Sequence, residues 1–498
     1  MGIRYDTYGE RAFTKNNTFV GREPEQAPLP QYEAIKGELP HPVWDGHDDT
    51  LACYDFAWKT AFSHLRTPTP GTGFISNYIS TMFNGAFFLW DTSFIAMYGK
   101  YAAKVFNFQK SLDNFYSHQY ADGFICREIW EDTPGESFHR YDPSSTGPNI
   151  LAWSEWQYYE QTGDLERLRR VFDPILAYHL WMQENRTWPD GSYYSSGWGC
   201  GMDNIPRLQP GYNVMFSHGH MIWVDACIQA VISAKHLLMM AEVLGREADV
   251  RPLKDEIASL TTLINDKLWD EEDGFYFDQW RDGSLNHVKT IGSYWALLAD
   301  IVPPEWLERF IAHLENPKEF WRPHLIPSLA ADAEGYFPGG DYWRGSVWAP
   351  TNFMLLRGLT RVGKEELAYR IAVNHLENAV KVFCDTGTLW ENYAPETIER
   401  GSHSNPDFVG WTGLIPIAVL FEYVFGLRPD EKAGKIVWIV NRTERHGVEN
   451  YPFSGKTLDL LCEARADETE RPVITATGAP GVPVEVHWNG EVFTVISE

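Results

Sequence analysis

One short turn recurs along the chain and limits what it can fold into. An acidic or polar residue precedes a glycine, and an aromatic follows within three residues. The copies are Asp122-Gly123-Phe124, Asp190-Gly191-Ser192-Tyr193, Asp273-Gly274-Phe275, Glu334-Gly335-Tyr336 and Thr386-Gly387-Thr388-Leu389-Trp390. Their spacing, roughly 50 to 85 residues, is the scale of one supersecondary unit. Between them lie segments with apolar residues at i, i+3, i+4 and i+7, the helix period. These are 49–66, 90–104, 105–118, 148–162, 164–186, 219–245, 248–268, 290–301, 303–315, 346–362, 364–384 and 409–426. Twelve segments in six pairs predict a mainly α fold, an (α/α)6 barrel whose inner helices aim their loops at one end. An open helical array is the competing architecture.

The pattern changes at both ends. Residues 1–45 carry Pro24, Pro28, Pro30, Pro40 and Pro42 with little periodicity and read as an extended N-terminal arm. The barrel is expected over 46–429. Residues 430–498 read as a small β domain, with strands at 435–440, 457–461, 473–477 and 482–488. Asn489-Gly490 is a strong hairpin turn.

Charge and composition exclude several classes of function. A net charge of −26 repels nucleic acid and anionic membrane surfaces. No apolar run is long enough for a membrane span, and Met1-Gly2-Ile3-Arg4-Tyr5-Asp6 lacks the apolar core of a secretory signal. Six cysteines without CxxC spacing read as free thiols in a reducing compartment, so a cytoplasmic location is expected. The expected partner is a small carbohydrate. With 21 tryptophans, the chain is rich in the flat apolar faces on which sugar C–H surfaces pack.

The chemistry is expected on Gly201-Met202-Asp203-Asn204-Ile205-Pro206-Arg207. Asp203 lies between a glycine-rich run and a proline, hence on an irregular loop. Trp198 supplies an apolar wall, and a carboxyl beside such a wall loses hydration, so its pKa rises toward a useful acid value. Cleavage of a glycosidic bond takes a second carboxyl. Glu391, between Trp390 and Tyr393, is the candidate; Glu396 is its rival, and Asp407 suits a helix cap better. Asp225 sits in an apolar helix and needs a partner, either a sugar or a neighbouring side chain. His218 and His220 flank Gly219 and read as loop packing, because no third ligand has metal-site spacing.

Four stretches together resemble inverting glycoside hydrolases of family 63 and their relatives in the trehalase-like clan, including bacterial mannosylglycerate and glucosylglycerate hydrolases. Phe88-Leu89-Trp90-Asp91 resembles a glycone-binding segment, which implies sugar contacts for Trp90 and Asp91. The Asp203 loop resembles the general-acid loop. Tyr342-Trp343-Arg344-Gly345-Ser346-Val347-Trp348 resembles a segment whose Arg and Trp line the pocket, which implies Trp343, Arg344 and Trp348. Trp390-Glu391-Asn392-Tyr393, followed by Asp407-Phe408-Val409-Gly410-Trp411, resembles the base loop, which implies Glu391 with Tyr393 and Trp411 beside it. Arg207 or Arg344 could meet a glycerate carboxylate. One departure stands out: Gly147, in Ser144-Ser145-Thr146-Gly147-Pro148-Asn149, occupies the place of a sugar-binding Gln.

The expected activity is hydrolysis of an α-glycosidic bond with inversion, Asp203 as acid and Glu391 as base. It needs no cofactor and no metal. The alternatives are a sugar epimerase using His218, His220 or His324, and a non-catalytic sugar-binding protein.

Overall fold

The computed structural model describes residues 11–498. The first ten residues, including the stretch used to argue against a secretory signal, lie outside the described part.

The helices fall in sequential pairs. They are α1 (Asp48–Ser63) and α2 (Leu89–Gly99), α3 (Asp113–Ser117) and α4 (Leu151–Thr162), α5 (Leu165–Asn185) and α6 (Val224–Leu244). The remaining pairs are α7 (Arg251–Lys267) and α8 (Trp295–Ala299), α9 (Pro304–Ala312) and α10 (Ala349–Arg361), α11 (Glu365–Thr386) and α12 (Ile415–Val424). The even members are inner. α2 packs on α4, α4 on α6, α6 on α8, and α8 on α10; α10 meets the turn Thr412–Leu414 leading into α12, and that turn and α12 return to α2.

Burial follows the sequence pattern. Every residue of α2 and of α12 is buried, as a helix that is apolar all round requires. α7, on the outside, buries only Leu253, Leu260 and Ile264, one stripe. α6 is long and apolar enough to cross a membrane by length and composition, but most of it is buried as an inner helix.

The recurring turns have a backbone reason. Gly123, Gly191, Gly274, Gly335 and Gly387 all have φ between 70° and 101°, where a side chain is strained.

Some expected boundaries move. The segment 105–118 is a 3₁₀ run, Phe108–Leu112, followed by the short α3. The segment 290–301 likewise opens with 3₁₀ turns at Ile291–Tyr294. α12 is wound as a π-helix, with the amide of Phe425 donating to the carbonyl of Leu420.

The β part comprises two four-stranded sheets. One has the order β1 (His41–Trp44), β4 (His446–Phe453), β5 (Lys456–Cys462), β6 (Ile474–Gly478). The other has β2 (Leu427–Asp430), β3 (Lys435–Ile439), β7 (Pro483–Trp488), β8 (Glu491–Ile496), with β3 and β7 parallel. Residues 41–44 of the expected arm are therefore a strand of the C-terminal sheet. Strand β4 escapes the sequence pattern because its register shifts between Val448 and Tyr451, which breaks the alternation.

The sheets lie against the C-terminal ends of the inner helices. The amide of Ser454 donates to the carbonyl of Gln161, in the last turn of α4, at 2.9 Å. Trp438 Nε1 donates to the carbonyl of Phe425 at 2.9 Å, just after α12. Tyr451 packs on Tyr101 and Phe421. The N-terminal ends of the same helices meet at the opposite end of the ring.

Candidate active site

A cavity of about 120 Å³ opens at that N-terminal end. Asp203 lines one wall with Trp198 and Gly201; Trp90 and Asp91, from the first turn of α2, form another. Tyr342 and Trp343 complete the wall leading to Glu391, which is flanked by Phe408 and Trp411. Arg127 and Glu128 also reach the cavity, as do Gly147 and Pro148.

Local structure explains why these segments meet. The short strands Ala86–Phe88 and Glu128–Trp130 pair antiparallel. The amide of Leu89 donates to the carbonyl of Arg127, and that of Arg127 to the carbonyl of Ser145, each at 2.8 Å. The start of α2, the Arg127-Glu128 pair and the Gly147 loop are thus laced together.

The Asp203 loop is held by close backbone approach. A Cβ on Gly197 would lie 2.4 Å from the carbonyl oxygen of Asp203, and one on Gly201 would lie 3.0 Å from the Trp90 ring at φ +76°. Glycine is needed at both points. Asn204 does not fold back in a local turn. Its amide donates to the carbonyl of Asp341 at 3.1 Å, and its side-chain oxygen accepts from the amide of Trp343 at 2.8 Å. The Asp203 loop is stitched to the Trp343 loop.

Glu391 is almost fully buried, 2% exposed. One carboxylate oxygen accepts from Tyr342 Oη at 3.1 Å, the other from Asn405 Nδ2 at 2.7 Å. Trp411 Nε1 donates to its carbonyl at 2.9 Å. Tyr342 holds its position with φ +57°, a left-handed conformation that strains a bulky residue. Trp90 Nε1 is buried without a partner among the described residues, a donor suited to a sugar hydroxyl.

Asp203, Glu391 and Asp91 are all shifted upward. Burial raises Asp203 to about 6, with Arg127 opposing and Glu128 adding to the rise. Burial raises Glu391 to about 7; Asn405 and Tyr342 oppose by hydrogen bonding the carboxylate, and Asp203 adds a small rise. Asp91 is pushed well above the carboxylate range by burial and then by Glu391, with a smaller push from Asp203. The charges act on one another, so protons leave the cluster as a coupled set.

Five residues expected to bind substrate do not line the cavity. Arg207 is 1% exposed, and its guanidinium is spent on two buried carboxylates, Asp225 at 2.6 and 3.0 Å and Asp278 at 2.5 and 2.8 Å. Asp225, wholly buried, is that pair's other half. Arg344 donates to the carbonyl of Gly335 at 2.8 Å and to Asp341 at 3.1 Å. Trp348 stacks behind Trp343 at 3.9 Å, with the rings nearly parallel. Tyr393 is buried against His324. Nor does Asp407 cap a helix; it accepts from Thr388 Oγ1 at 2.7 Å. Glu396 is bound bidentately by Arg322.

Sequence reasoning brought Trp90, Asp91, Trp198, Asp203, Trp343, Glu391 and Trp411 to one cavity. It missed Arg127, Glu128 and Asn405. Arg127-Glu128 begins three residues beyond Phe124 of the Asp122-Gly123-Phe124 turn, the signal that could have found it. Asn405 sits between the two halves of the base-loop motif. His218 and His220 pack around Trp188 and Tyr194, and His324 bonds His375 in the core at 2.9 Å. Among the described residues no group of three His, Cys, Asp or Glu is arranged to hold a metal.

An aromatic-walled hollow with carboxyls on separate loops over one opening is an arrangement suited to a glycoside hydrolase. The chain belongs to the family described as the mannosylglycerate hydrolase MGH1-like glycoside hydrolase domain, which matches residues 86–411, about two thirds of its length. Among curated relatives, a mannosylglycerate hydrolase of Thermus thermophilus is 23% identical over 355 residues, covering 58% of this chain and 85% of that one. A probable mannosyl-oligosaccharide glucosidase of Schizosaccharomyces pombe is 25% identical over 289 residues, 54% of this chain but only 33% of the yeast protein. Among solved structures, a family 63 mannosylglycerate hydrolase from Thermus thermophilus in complex with glucose superposes with a TM-score of 0.59 at 21% identity, covering 73% of this chain and 99% of that one.

Proposed function

We propose that this protein hydrolyses an α-glycosidic bond in a short saccharide or a glycosylglycerate, with inversion. Asp203 protonates the leaving oxygen, and Glu391 takes a proton from the attacking water. The observation carrying this reading is that both carboxyls line one cavity and titrate near neutrality, at about 6 and about 7. Trp90, Asp91, Trp343 and Trp411 hold the sugar ring. The names of the relatives, which act on mannosylglycerate or on mannosyl-oligosaccharides, agree with a small glycoside as substrate. The closed succession of inner helices supports reading residues 46–429 as an (α/α)6 barrel, with the arm and the 430–498 β part backing it.

The epimerase reading loses ground because His218, His220 and His324 do not line the cavity. The test is Asp203→Asn and Glu391→Gln, assayed with glucosyl and mannosyl disaccharides and glycosylglycerates. Each amide is expected to lower kcat by at least ~100-fold without unfolding. NMR of the first product should show the β-anomer. Near-wild-type turnover in either variant, or initial release of the α-anomer, rejects the assignment.

A further inference from the structure

The end of the ring away from Asp203 and Glu391 carries a second pocket, of about 250 Å³, room for one sugar ring. It opens between inner helices, beside Arg428 of β2. α4 contributes Trp153, Trp156 and Glu160, α6 contributes His236, and α10 contributes Arg357 and Arg361. Spacings of three, four and seven residues put each set on one face of its helix. The pocket is not a rear extension of the first cavity. Trp295 fills the ring between them, touching Trp153 at 5.7 Å and Trp90 at 6.1 Å, and is itself 1% exposed. A ligand seated here cannot reach the carboxyls at the other end.

Two polar groups in this wall lack a partner. His236 is 7% exposed. Its Nδ1 donates to the carbonyl of Ile232, one turn earlier in α6, at 2.7 Å. Nε2, across the ring and away from the helix, has no hydrogen bond among the described residues. Burial holds the imidazole pKa down to about 4, with Arg361 and Lys235 lowering it and the Ile232 carbonyl opposing. The ring is neutral at pH 7, so Nε2 presents a lone pair. Arg357 is the matching donor. Its guanidinium reaches Glu422 at 2.5 Å and the side-chain oxygen of Gln157, but its Nε is buried without a partner among the described residues. Buried polar groups in native proteins are ordinarily satisfied, so an unfilled acceptor and an unfilled donor at one pocket point to a ligand that supplies both.

A hydroxyl does both, donating to a lone pair and accepting from a guanidinium. A simple anion has no proton for His236. The arginines here also have carboxylates of their own: Glu422 for Arg357, Glu365 for Arg428 at 2.8 Å, and Asp300 for Arg361 at 4.0 Å. Trp153 and Trp156 add the apolar surface on which sugar C–H groups pack.

We propose that this pocket is a second, non-catalytic binding site for an uncharged monosaccharide unit, with one hydroxyl between His236 Nε2 and Arg357 Nε and the ring against the α4 tryptophans. The site stands apart from the hydrolase reading, since none of its residues lines the first cavity.

Crystals of the intact enzyme soaked in glucose, in mannose and, separately, in inorganic phosphate locate the occupant. A sugar within hydrogen-bond distance of His236 Nε2 is the expected result. Calorimetric titration with the same sugars measures the affinity. His236→Leu removes the acceptor, and Met239→Trp, a half-buried position on the same wall, narrows the opening. Each is expected to weaken this binding component at least ~10-fold, because a sugar hydroxyl is left unpaired or the ring is shut out. Turnover of glycosides by either variant should be little changed. Phosphate rather than sugar at His236 overturns the proposal, as does a pocket left empty by both sugars. Binding that is equally strong in wild type, His236→Leu and Met239→Trp overturns it too, because the sugar then sits elsewhere. If both variants bind sugar normally in the crystal but lose turnover, the pocket serves the catalytic end and is not a separate site. Binding is read without turnover, so failure of the hydrolase reading alone would leave these results intact.

Discussion

At the scale of single residues, the two carboxyls pose a question of proton order. In the mechanism proposed above the donor must be protonated and the base ionised at once, yet Asp203 lies at about 6 and Glu391 at about 7. With that order the productive form is a minority, roughly a twentieth of the free enzyme at the midpoint, and both limbs of the pH profile belong to the pair. The kcat/KM of the wild type is therefore expected to be bell-shaped, with limbs near 6 and 7 and an optimum between them. With a glycosyl fluoride, whose leaving group needs no proton, Asp203→Asn should lose the alkaline limb. Its remaining limb should lie below 7, because removing the Asp203 charge eases ionisation of Glu391. A profile still bell-shaped for that variant would show that another group is the acid. The same shift has a sign for stability. Glu391 binds its proton more tightly folded than unfolded, so the burden it places on folding is absent near pH 4, grows as pH rises, and is complete above about 7. Moving from 4.5 to about 7 corresponds to on the order of 3 kcal/mol. Glu391→Gln should accordingly raise Tm by a few degrees at pH 8 and by much less at pH 4.5, measured by scanning calorimetry. An equal Tm difference at both pH values would mean that the carboxyl is not buried in its charged form.

At the scale of elements, function depends on joints between segments that lie far apart in sequence. Arg207 is the clearest case. Its guanidinium joins the acid loop to Asp225 at the start of α6 and to Asp278, whose Oδ1 also accepts from the amide of Val224 at 2.9 Å. A loop arginine beside a candidate acid reads as a substrate contact in sequence, because spacing does not show that two carboxylates converge on it from 18 and 71 residues away. Arg207→Met would leave two buried carboxylates unpaired, which costs about 3–5 kcal/mol. Thermal melts should show the loss, and Arg207→Met combined with Asp225→Asn should be more stable than Arg207→Met alone. If the double variant is instead the less stable of the two, the pair is not a charge-compensated joint. The fraction that stays folded should lose kcat more than KM, since Asp203, on the same loop, is displaced while the sugar-binding aromatics stay put.

At the scale of the whole molecule, the sequence was most legible where one physical rule acted alone. The 3.6 period marked the long helices α1, α5, α7 and α11 to within a few residues, and the Asn489-Gly490 turn marked the last hairpin, with φ +48° and +79° at the two positions. It was least legible where a rule was broken for a tertiary reason. The bulge in β4 hid a strand, and β1 was read as loose arm because its partner, β4, begins some 400 residues later. That long-range pairing bears on how far the molecule divides into parts. The C-terminal sheets cover the end of the ring away from the cavity, and they cover it with buried residues: Trp438 and Tyr451 are 0% exposed, and Phe425 and Phe421 on the helical side are equally buried. Removing residues 430–498 would expose Phe421 and Phe425 and leave β1 without a partner. It would also uncover the end where Lys100 and Arg357 hold the buried Glu422 at 2.8 and 2.5 Å, and water would then weaken their mutual attraction. The truncated chain is therefore expected to aggregate or to melt non-cooperatively, even though no removed residue lines the cavity. Size-exclusion chromatography and a thermal melt of the 1–429 chain check this. A soluble monomer with a sharp transition and wild-type kcat/KM would show instead that the helical ring is stable by itself and the sheets are an accessory.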